Sequence, residues 1–464
     1  MTSSFIQTPG TLRPLVRLSL PVLAEQVLHL CVGFADLALT GHCLPGDAYV
    51  ASMTLVVYLL WLIGMLFAFV GAGATPVTAR LSGAGDTAGA NRAMNQSIVL
   101  GAVWAAALMA IGLPTIHPFV TAMGLDGPSA DAAARYLTIE LWFLPAIMVE
   151  RVGVACLRGA GDTVSGLGVM AVVNAVNIAV SWALVTGAGG WAPELGWDGV
   201  AIGTAAGHAT GAAILLALLI GGRAGYRLRL AEMRPDPAMM RRLLRIGIPG
   251  GFESLLLVVC NLAYLRLVLR LGDVAAAAHG VAIQVEALAY MPGGAFQIAA
   301  STMAGQYLGA GEPKRATRSV LVACAAAATL MVGAGLLFWF AAEPLIALYI
   351  GDKPEVAPLA AKLLRIISLA MLPLAIGMVL SGALRGAGDT RWPLAITLLS
   401  FCTVRIPLAA YLAYDAVPLP YVGEVAGLGW GAAGAWTAAA IELGTRALLF
   451  TARFAQGGWR RVRV

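Results

Sequence analysis

Charge is scarce in this chain. Only 12% of its 464 residues are Asp, Glu, Lys or Arg, while 59% are hydrophobic. A water-soluble domain is about 25% charged, so an ordinary soluble fold is excluded. Cysteine is scarce too: Cys31, Cys43, Cys156, Cys260, Cys324 and Cys402 form no CxxC pair and lie mostly inside apolar runs. That excludes a disulfide framework and a cysteine metal centre, leaving buried thiols. Neither HExxH nor GxSxG occurs, which removes the usual intramembrane protease and hydrolase signatures. No catalytic constellation is found, and an enzyme is not expected.

What the chain has in abundance is apolar length. Runs of about 20 residues, enough to cross the hydrocarbon core as a helix, recur from end to end. Twelve spans are read near 14–40, 48–76, 93–114, 131–156, 163–187, 198–221, 244–271, 276–306, 318–341, 357–384, 392–414 and 428–452. The expected fold class is an all-α membrane protein. No cleavable signal peptide is expected, because the first run is long and is interrupted by Glu25, His29 and Asp36. The 55 glycines suit close helix contact; Gly203, Gly207 and Gly211, four apart, read as a packing stripe. The net charge of +6 is a topology signal rather than a sign of nucleic-acid binding. Basic residues gather in alternate loops, at Arg80 and Arg92, Arg158, Arg223 to Arg245, and Arg385 and Arg391, although Arg135, Lys353, Lys362 and Arg365 break the pattern. By the positive-inside rule these loops face the cytoplasm, placing a multi-pass chain in the cell inner (plasma) membrane with both termini cytoplasmic.

The chain also repeats itself. LRGAGDT at Leu157–Thr163 recurs at Leu384–Thr390, and Pro21 and Glu25 return as Pro249 and Glu253. SGAGDTAGANRA from Ser82 is answered by LGAGEPKRATRS from Leu308, and LGWDGVAIGTAA from Leu195 by LGWGAAGAWTAA from Leu428. An offset of half the chain is too long for a solenoid unit and means two homologous halves. The expected organisation is an N-terminal six-helix lobe over 1–220, a cytoplasmic linker over 221–243 and a C-terminal six-helix lobe over 244–464. Six spans per half give both halves one orientation, so the repeats are parallel. LRGAGDT itself has no lysine in P-loop spacing and no preceding strand; it reads as a tight turn, not a phosphate loop.

Ionisable groups inside a spanning helix are costly and mark functional candidates. In the first span Glu25, His29 and Asp36 fall within roughly 40° of one another, on a stripe about 16 Å long, and Pro21 ahead of them allows a helix bend. For Glu25 and His29 a plain hydrogen bond to a neighbouring helix remains an open alternative. Asn174, Asn177 and Ser181 share one face of the fifth span and are the expected partners of Asp36, a pocket suited to a proton or small cation. Counted from Pro21 and Pro249, His29 maps to Leu257 and Asp36 to Tyr264; the scaffold is duplicated and the polar site is not. Glu25, Tyr58, Trp61, Glu253, Gln284 and Met291 are candidates for a substrate-lining surface, with packed or lipid-facing positions as the plainer fate of the aromatics.

At these residues the chain resembles the bacterial multidrug and toxic compound extrusion (MATE) family. The resemblance rests on the two P-x-x-x-E starts, FADLALTGH at Phe34–His42, both LRGAGDT turns, VNAVNIAVS at Val173–Ser181 and MPGGAFQIAASTMAGQYLGAGEPKRA at Met291–Ala316. It implies twelve helices in a V-shaped pair of lobes, exporting amphipathic or cationic compounds in exchange for H⁺ or Na⁺, with no cofactor beyond that ion. It further implies that Asp36 is the family's first-helix acid, Pro21 its bend and Asn177 its partner in the fifth helix. Two departures stand out: Ser181 occupies a place where several relatives carry a second acid, and the span over 357–384 lacks the acid that Na⁺-coupled relatives use. With His29, these favour proton coupling.

The expected function is drug/proton antiport by alternating access, with small amphipathic molecules and the lipid bilayer as partners, no nucleic acid, and a self-contained monomer. The alternative is a flippase for lipid-linked saccharides, which would need a large cationic cavity. Arg151, Arg266, Arg270, Arg405 and Arg446 are dispersed along the sequence and form no evident cluster.

Overall fold

The computed structural model describes residues 10–45, 47–351, 353–419, 423–462 and 464. Away from water a backbone must satisfy its own polar groups, and the apolar runs do so as helices. In order they are α1 (Leu12–Cys43), α2 (Asp47–Leu66), α3 (Ala68–Gly83), α4 (Thr87–Ala122), α5 (Gly127–Trp142), α6 (Leu144–Ala160), α7 (Val164–Thr186), α8 (Trp197–Ile220) and α9 (Pro237–Leu269). There follow α10 (Asp273–Gly309), α11 (Pro313–Phe340), α12 (Ala342–Ile350), α13 (Val356–Ser368), α14 (Met371–Gly386), α15 (Arg391–Ser400), α16 (Ile406–Ala413) and α17 (Gly431–Gln456). A π-helical turn, Phe401–Arg405, joins α15 to α16, and an antiparallel hairpin, β1 (Ala416–Leu419) with β2 (Gly423–Ala426), precedes α17.

Each of the twelve expected spans corresponds to a helix or a broken helix. By length and apolarity, nine described helices qualify as membrane spans, and ten when α13 and α14, bent by 55°, are taken as one. Of the twelve expected spans, the two with no counterpart in that set are α5–α6 and α17. They carry buried carboxylates, Glu140 and Glu150 in the former and Glu442 in the latter, so burial within the protein replaces part of the apolar character that lipid would demand. α6 starts after a break at Phe143, where Pro145 lacks the N–H needed to continue the α5 ladder. α1 runs unbroken through Pro21, and α9 through Pro249. The cysteines form no disulfide among the described residues; Cys156 and Cys260 are buried, but Cys43 and Cys402 are exposed.

The chain divides into two compact units, one over Leu20–Gly251 and one over Phe252–Val464, with residues 10–19 counted in the second. The division therefore falls inside α9 rather than at the linker. In the first unit α4 fastens the linker. Asn91 and Asn95 accept from the backbone N–H groups of Arg227 and Arg229 at 2.6 and 3.0 Å. Gln96 donates to the carbonyls of Glu232 and Arg234 at 2.7 Å each. The start of α9 then lies against α3 so closely that a Cβ at Gly73 would stand 2.3 Å from the Leu243 carbonyl oxygen.

The repeated motifs are the same physical device used four times. At Gly161 and Gly388 the helix ends in the left-handed region, φ 88° and 87°. In each copy two N–H groups fold back on the last turn: Gly161 to Arg158 and Asp162 to Leu157, Gly388 to Arg385 and Asp389 to Leu384, at 2.8–2.9 Å. Gly85 and Gly311 close α3 and α10 in the same way. These are Schellman stops, for which glycine is the residue without a Cβ penalty. Asp162 then accepts from the backbone and hydroxyl of Ser165, opening α7. The turn reading of LRGAGDT holds.

Candidate functional site

Asp36 lies on α1 and is 2% exposed. Three other helices reach its carboxylate. Asn177 Nδ2 of α7 donates to Oδ1 at 3.0 Å, while Thr204 Oγ1 of α8 and Tyr136 Oη of α5 donate to Oδ2 at 2.8 and 3.0 Å. The second Asn177 N–H bonds Thr204 Oγ1 at 2.9 Å, so the donors brace one another. The described structure places no side-chain cation in hydrogen-bonding range of this carboxylate; dipoles alone hold it.

The glycine stripe on α8 makes this possible. A Cβ at Gly203 would stand 2.0 Å from Ser181 Oγ, one at Gly207 would be 2.9 Å from the Val173 carbonyl oxygen, and one at Gly211 would be 2.6 Å from Val173 Cγ2. Without those side chains α8 settles onto α7 and carries Thr204 to Asn177. The stripe is a packing device, as its spacing suggests, and the site depends on it.

Of the expected partners, the structure brings only Asn177 to Asp36. Asn174 donates to the Met170 carbonyl at 2.9 Å, and Ser181 donates to the Val200 carbonyl at 3.3 Å; both spend their donors on backbone carbonyls. His29 is turned away toward Arg151, whose Nη1 donates to its Nε2 at 3.3 Å. Tyr136 and Thr204 escaped the sequence reading. A tyrosine beside an arginine in a half-polar stretch and a threonine in a glycine-rich helix give almost no signal. Thr204 and His208, one turn apart on α8, are the trace a search could have followed.

The other candidates separate by burial. Glu25 and Glu253 are each 3% exposed and paired with the arginine of the LRGAGDT turn in their own half: Arg158 to Glu25 at 2.7 Å, Arg385 to Glu253 at 3.4 Å. The same glutamate–arginine pairing thus brackets the scaffold in each unit. Tyr58, Trp61 and Gln284 are exposed and Met291 half-buried.

The first unit holds further ionisable groups: the buried Glu140, His208 bonded through Nδ1 to Glu150 at 2.8 Å, and the half-buried Arg151–His29 contact and Arg158, which reaches buried Glu25. The second unit has a different cluster, in which arginines and acids pair. Glu442, fully buried, lies between Arg405 and Arg446 at 2.9 and 2.8 Å, with Arg405 4.5 Å above the Phe401 ring.

A family model described as MatE matches this chain twice, over residues 21–183 and 249–411, which restates the internal duplication independently. A probable multidrug resistance protein NorM of Thermotoga maritima is 28% identical over 460 residues, covering 98% of this chain and 94% of that one. The protein of the same description from Pseudomonas aeruginosa is 31% identical over 466 residues, covering 98% and 90%. A solved structure described as an outward-facing multidrug resistance MATE family transporter of the MOP superfamily superposes with a TM-score of 0.86 over 97% of both chains, at 19% identity. A MATE structure in the bent conformation gives 0.87, over 97% and 96%, also at 19% identity. At that identity the likeness speaks for the fold.

Proposed function

The chain belongs to the MatE family of membrane transporters, not to a family of enzymes, and on that premise we propose that it is an efflux antiporter for amphipathic and cationic compounds. Its coupling group is Asp36 and its coupling ion is H⁺. The observation that carries this reading is a buried carboxylate gripped by three neutral donors from three helices. Ionised, it accepts from all three and holds α1 against α5, α7 and α8. Protonated, one oxygen turns from acceptor to donor, and a donor opposite it loses its partner, at a cost of about 1–3 kcal/mol. The free energy of one proton thus becomes a change in how α1 is held. A pH difference of one unit supplies about 1.4 kcal/mol and a potential of 100 mV about 2.3 kcal/mol per charge, enough to bias two packings of one helix.

The arginines of the repeated turns support the inner-membrane orientation with cytoplasmic termini. Because every group of the Asp36 cluster comes from one unit, a single chain suffices. The flippase alternative loses ground, since Arg158, Arg385, Arg405 and Arg446 are each bound to a buried carboxylate. One observation favours a second coupling ion: Asn174 Oδ1 and Asn177 Oδ1 are both buried without a hydrogen-bond partner, and hard oxygens of this kind suit Na⁺.

The test is export of ethidium from proteoliposomes, with lumenal pH followed in the presence and absence of Na⁺. Cargo-dependent proton movement that survives Na⁺ removal and is lost in Asp36→Asn is the expected result. Sodium-dependent export without proton movement would transfer the role to the amide oxygens.

A further inference from the structure

Glu140 is a buried acid to which the Asp36 reading gives no task. It stands one turn beyond Tyr136 on α5, is 1% exposed, and both its carboxyl oxygens are buried without a hydrogen-bond partner. His208 stands one turn beyond Thr204 on α8, so the two helices that supply donors to Asp36 also supply this next layer. The titratable groups in electrostatic reach of Glu140 are Asp36 on α1, Tyr136 on its own helix and His208 on α8. His208 is committed to Glu150 of α6 at 2.8 Å, and Arg151 of α6 is turned to His29. The remaining charges of α5, Asp131 and Arg135, pair with His117 of α4 and Asp198 of α8 away from the buried layer.

An ionised carboxylate removed from water needs hydrogen bonds or an opposite charge, and several kcal/mol are at stake when it has neither. Asp36 has three donors; Glu140 has none, and its imidazole neighbour is already answered by Glu150. Two carboxylates in reach of each other in one desolvated space also resist carrying charge together. The negative charge therefore belongs on Asp36 and the proton on Glu140.

We propose that Glu140, backed by the His208–Glu150 pair, is a second proton-holding site of the first unit, keeping its proton while Asp36 releases its own. The unit then cycles between zero and one negative charge on these two acids and avoids the doubly ionised state. In its meaning for transport this rests on the Asp36 reading; in its chemistry it does not.

Infrared difference spectra of the full chain in lipid, recorded across pH, separate the two. The neutral carboxyl C=O stretch is followed in the wild type, Asp36→Asn, Glu140→Gln and the double variant. The expected result is a Glu140-dependent band that persists at neutral pH and survives in Asp36→Asn, disappearing only at a more alkaline pH than the Asp36-dependent band. Should Glu140→Gln fail to fold, Glu140→Asp keeps an acid in a shifted environment and must displace the band. A neutral-pH spectrum unchanged by either Glu140 variant overturns the site. A Glu140 band without any Asp36-dependent band overturns the Asp36 reading and leaves this site standing.

Discussion

In the first unit, position 36 carries an acid reached by three helices; at the equivalent place in the second, counted from Pro21 and Pro249, stands Tyr264. Its hydroxyl is buried without a hydrogen-bond partner, and the Arg405 guanidinium lies 5.6 Å from its ring centroid. Thr204 has a counterpart in Thr437, aligned on LGW, but Thr437 only donates back to Ala433 of its own helix at 2.8 Å. Where Gly203 lets α8 close on α7, the second unit has Trp436, bonded through Nε1 to His279 at 3.0 Å. The Glu–Arg brackets and the Schellman turns, by contrast, appear in both units with the same connectivity. Duplication has preserved what fixes helix ends and helix starts. What lies between was free to diverge, toward an acid held by neutral donors in one unit and arginine–glutamate pairs in the other.

The largest expected effect follows from that asymmetry. Asp36→Asn should reduce cargo-driven proton movement in proteoliposomes to background, whereas Tyr264→Phe, at the matching place, should leave it near the wild-type level. Equal losses from both would mean that the units share one mechanism and that the comparison is false. The brackets come next. Arg158→Ala leaves Glu25 buried and without its arginine, which costs on the order of 3–5 kcal/mol for a buried pair. Arg385→Ala should cost less, because that contact is longer, 3.4 against 2.7 Å. Thermal unfolding in detergent, compared between the two variants, gives the order.

Much of this was legible in the residues. Two copies of LRGAGDT and two P-x-x-x-E starts are local, ordered signals, and they delivered the duplication and the turns. Asp36 was legible because charge inside an apolar run is conspicuous. Its true partners were not, because Tyr136 and Thr204 are ordinary residues of membrane helices and reach Asp36 across 100 and 168 positions of sequence. Asn174 and Ser181 share a face with Asn177, but a shared face does not decide whether a side chain bonds across to another helix or back to a carbonyl. The hairpin Ala416–Ala426 was also hidden, its few apolar residues being too short a run to set apart from the loop around them.

A smaller effect tests the glycine stripe. Gly203→Ala would place a methyl 2.0 Å from Ser181 Oγ and 2.6 Å from Ser181 N, so α7 and α8 must part. Overpacking of this kind costs about 1–3 kcal/mol, and the displacement should weaken the Asn177–Thr204 contact. Proton-coupled export should fall by more than the protein's thermal stability suggests. A variant that loses stability but keeps its coupling would show that Thr204 reaches Asp36 without close approach of the helices.

The smallest effect lies in the repeated turns. Burial alone would raise the Asp162 carboxyl, but Arg223 and Ser165 outweigh it and hold it below the usual carboxylate range. A group depressed in this way stabilises the fold above its unfolded value, about 3.9, and loses that contribution as pH falls through its lower folded value. Arg223 is half exposed, with 48% of its side chain accessible, so solvent screening limits the pair to under about 1 kcal/mol. Arg223→Gln should therefore unfold slightly earlier than the wild type at neutral pH, and the two melting curves should converge below about pH 4. In the second unit Asp389 is held by Arg453 through two contacts, 2.6 and 3.0 Å, and only 16% of that arginine side chain is accessible. Arg453 also lies 4.8 Å from the Trp392 ring centroid, so Arg453→Gln should cost more than Arg223→Gln. If the exposed pair proved the stronger, the turns would be alike in hydrogen bonding and yet not in what anchors them, and the duplicated scaffold would itself have begun to diverge.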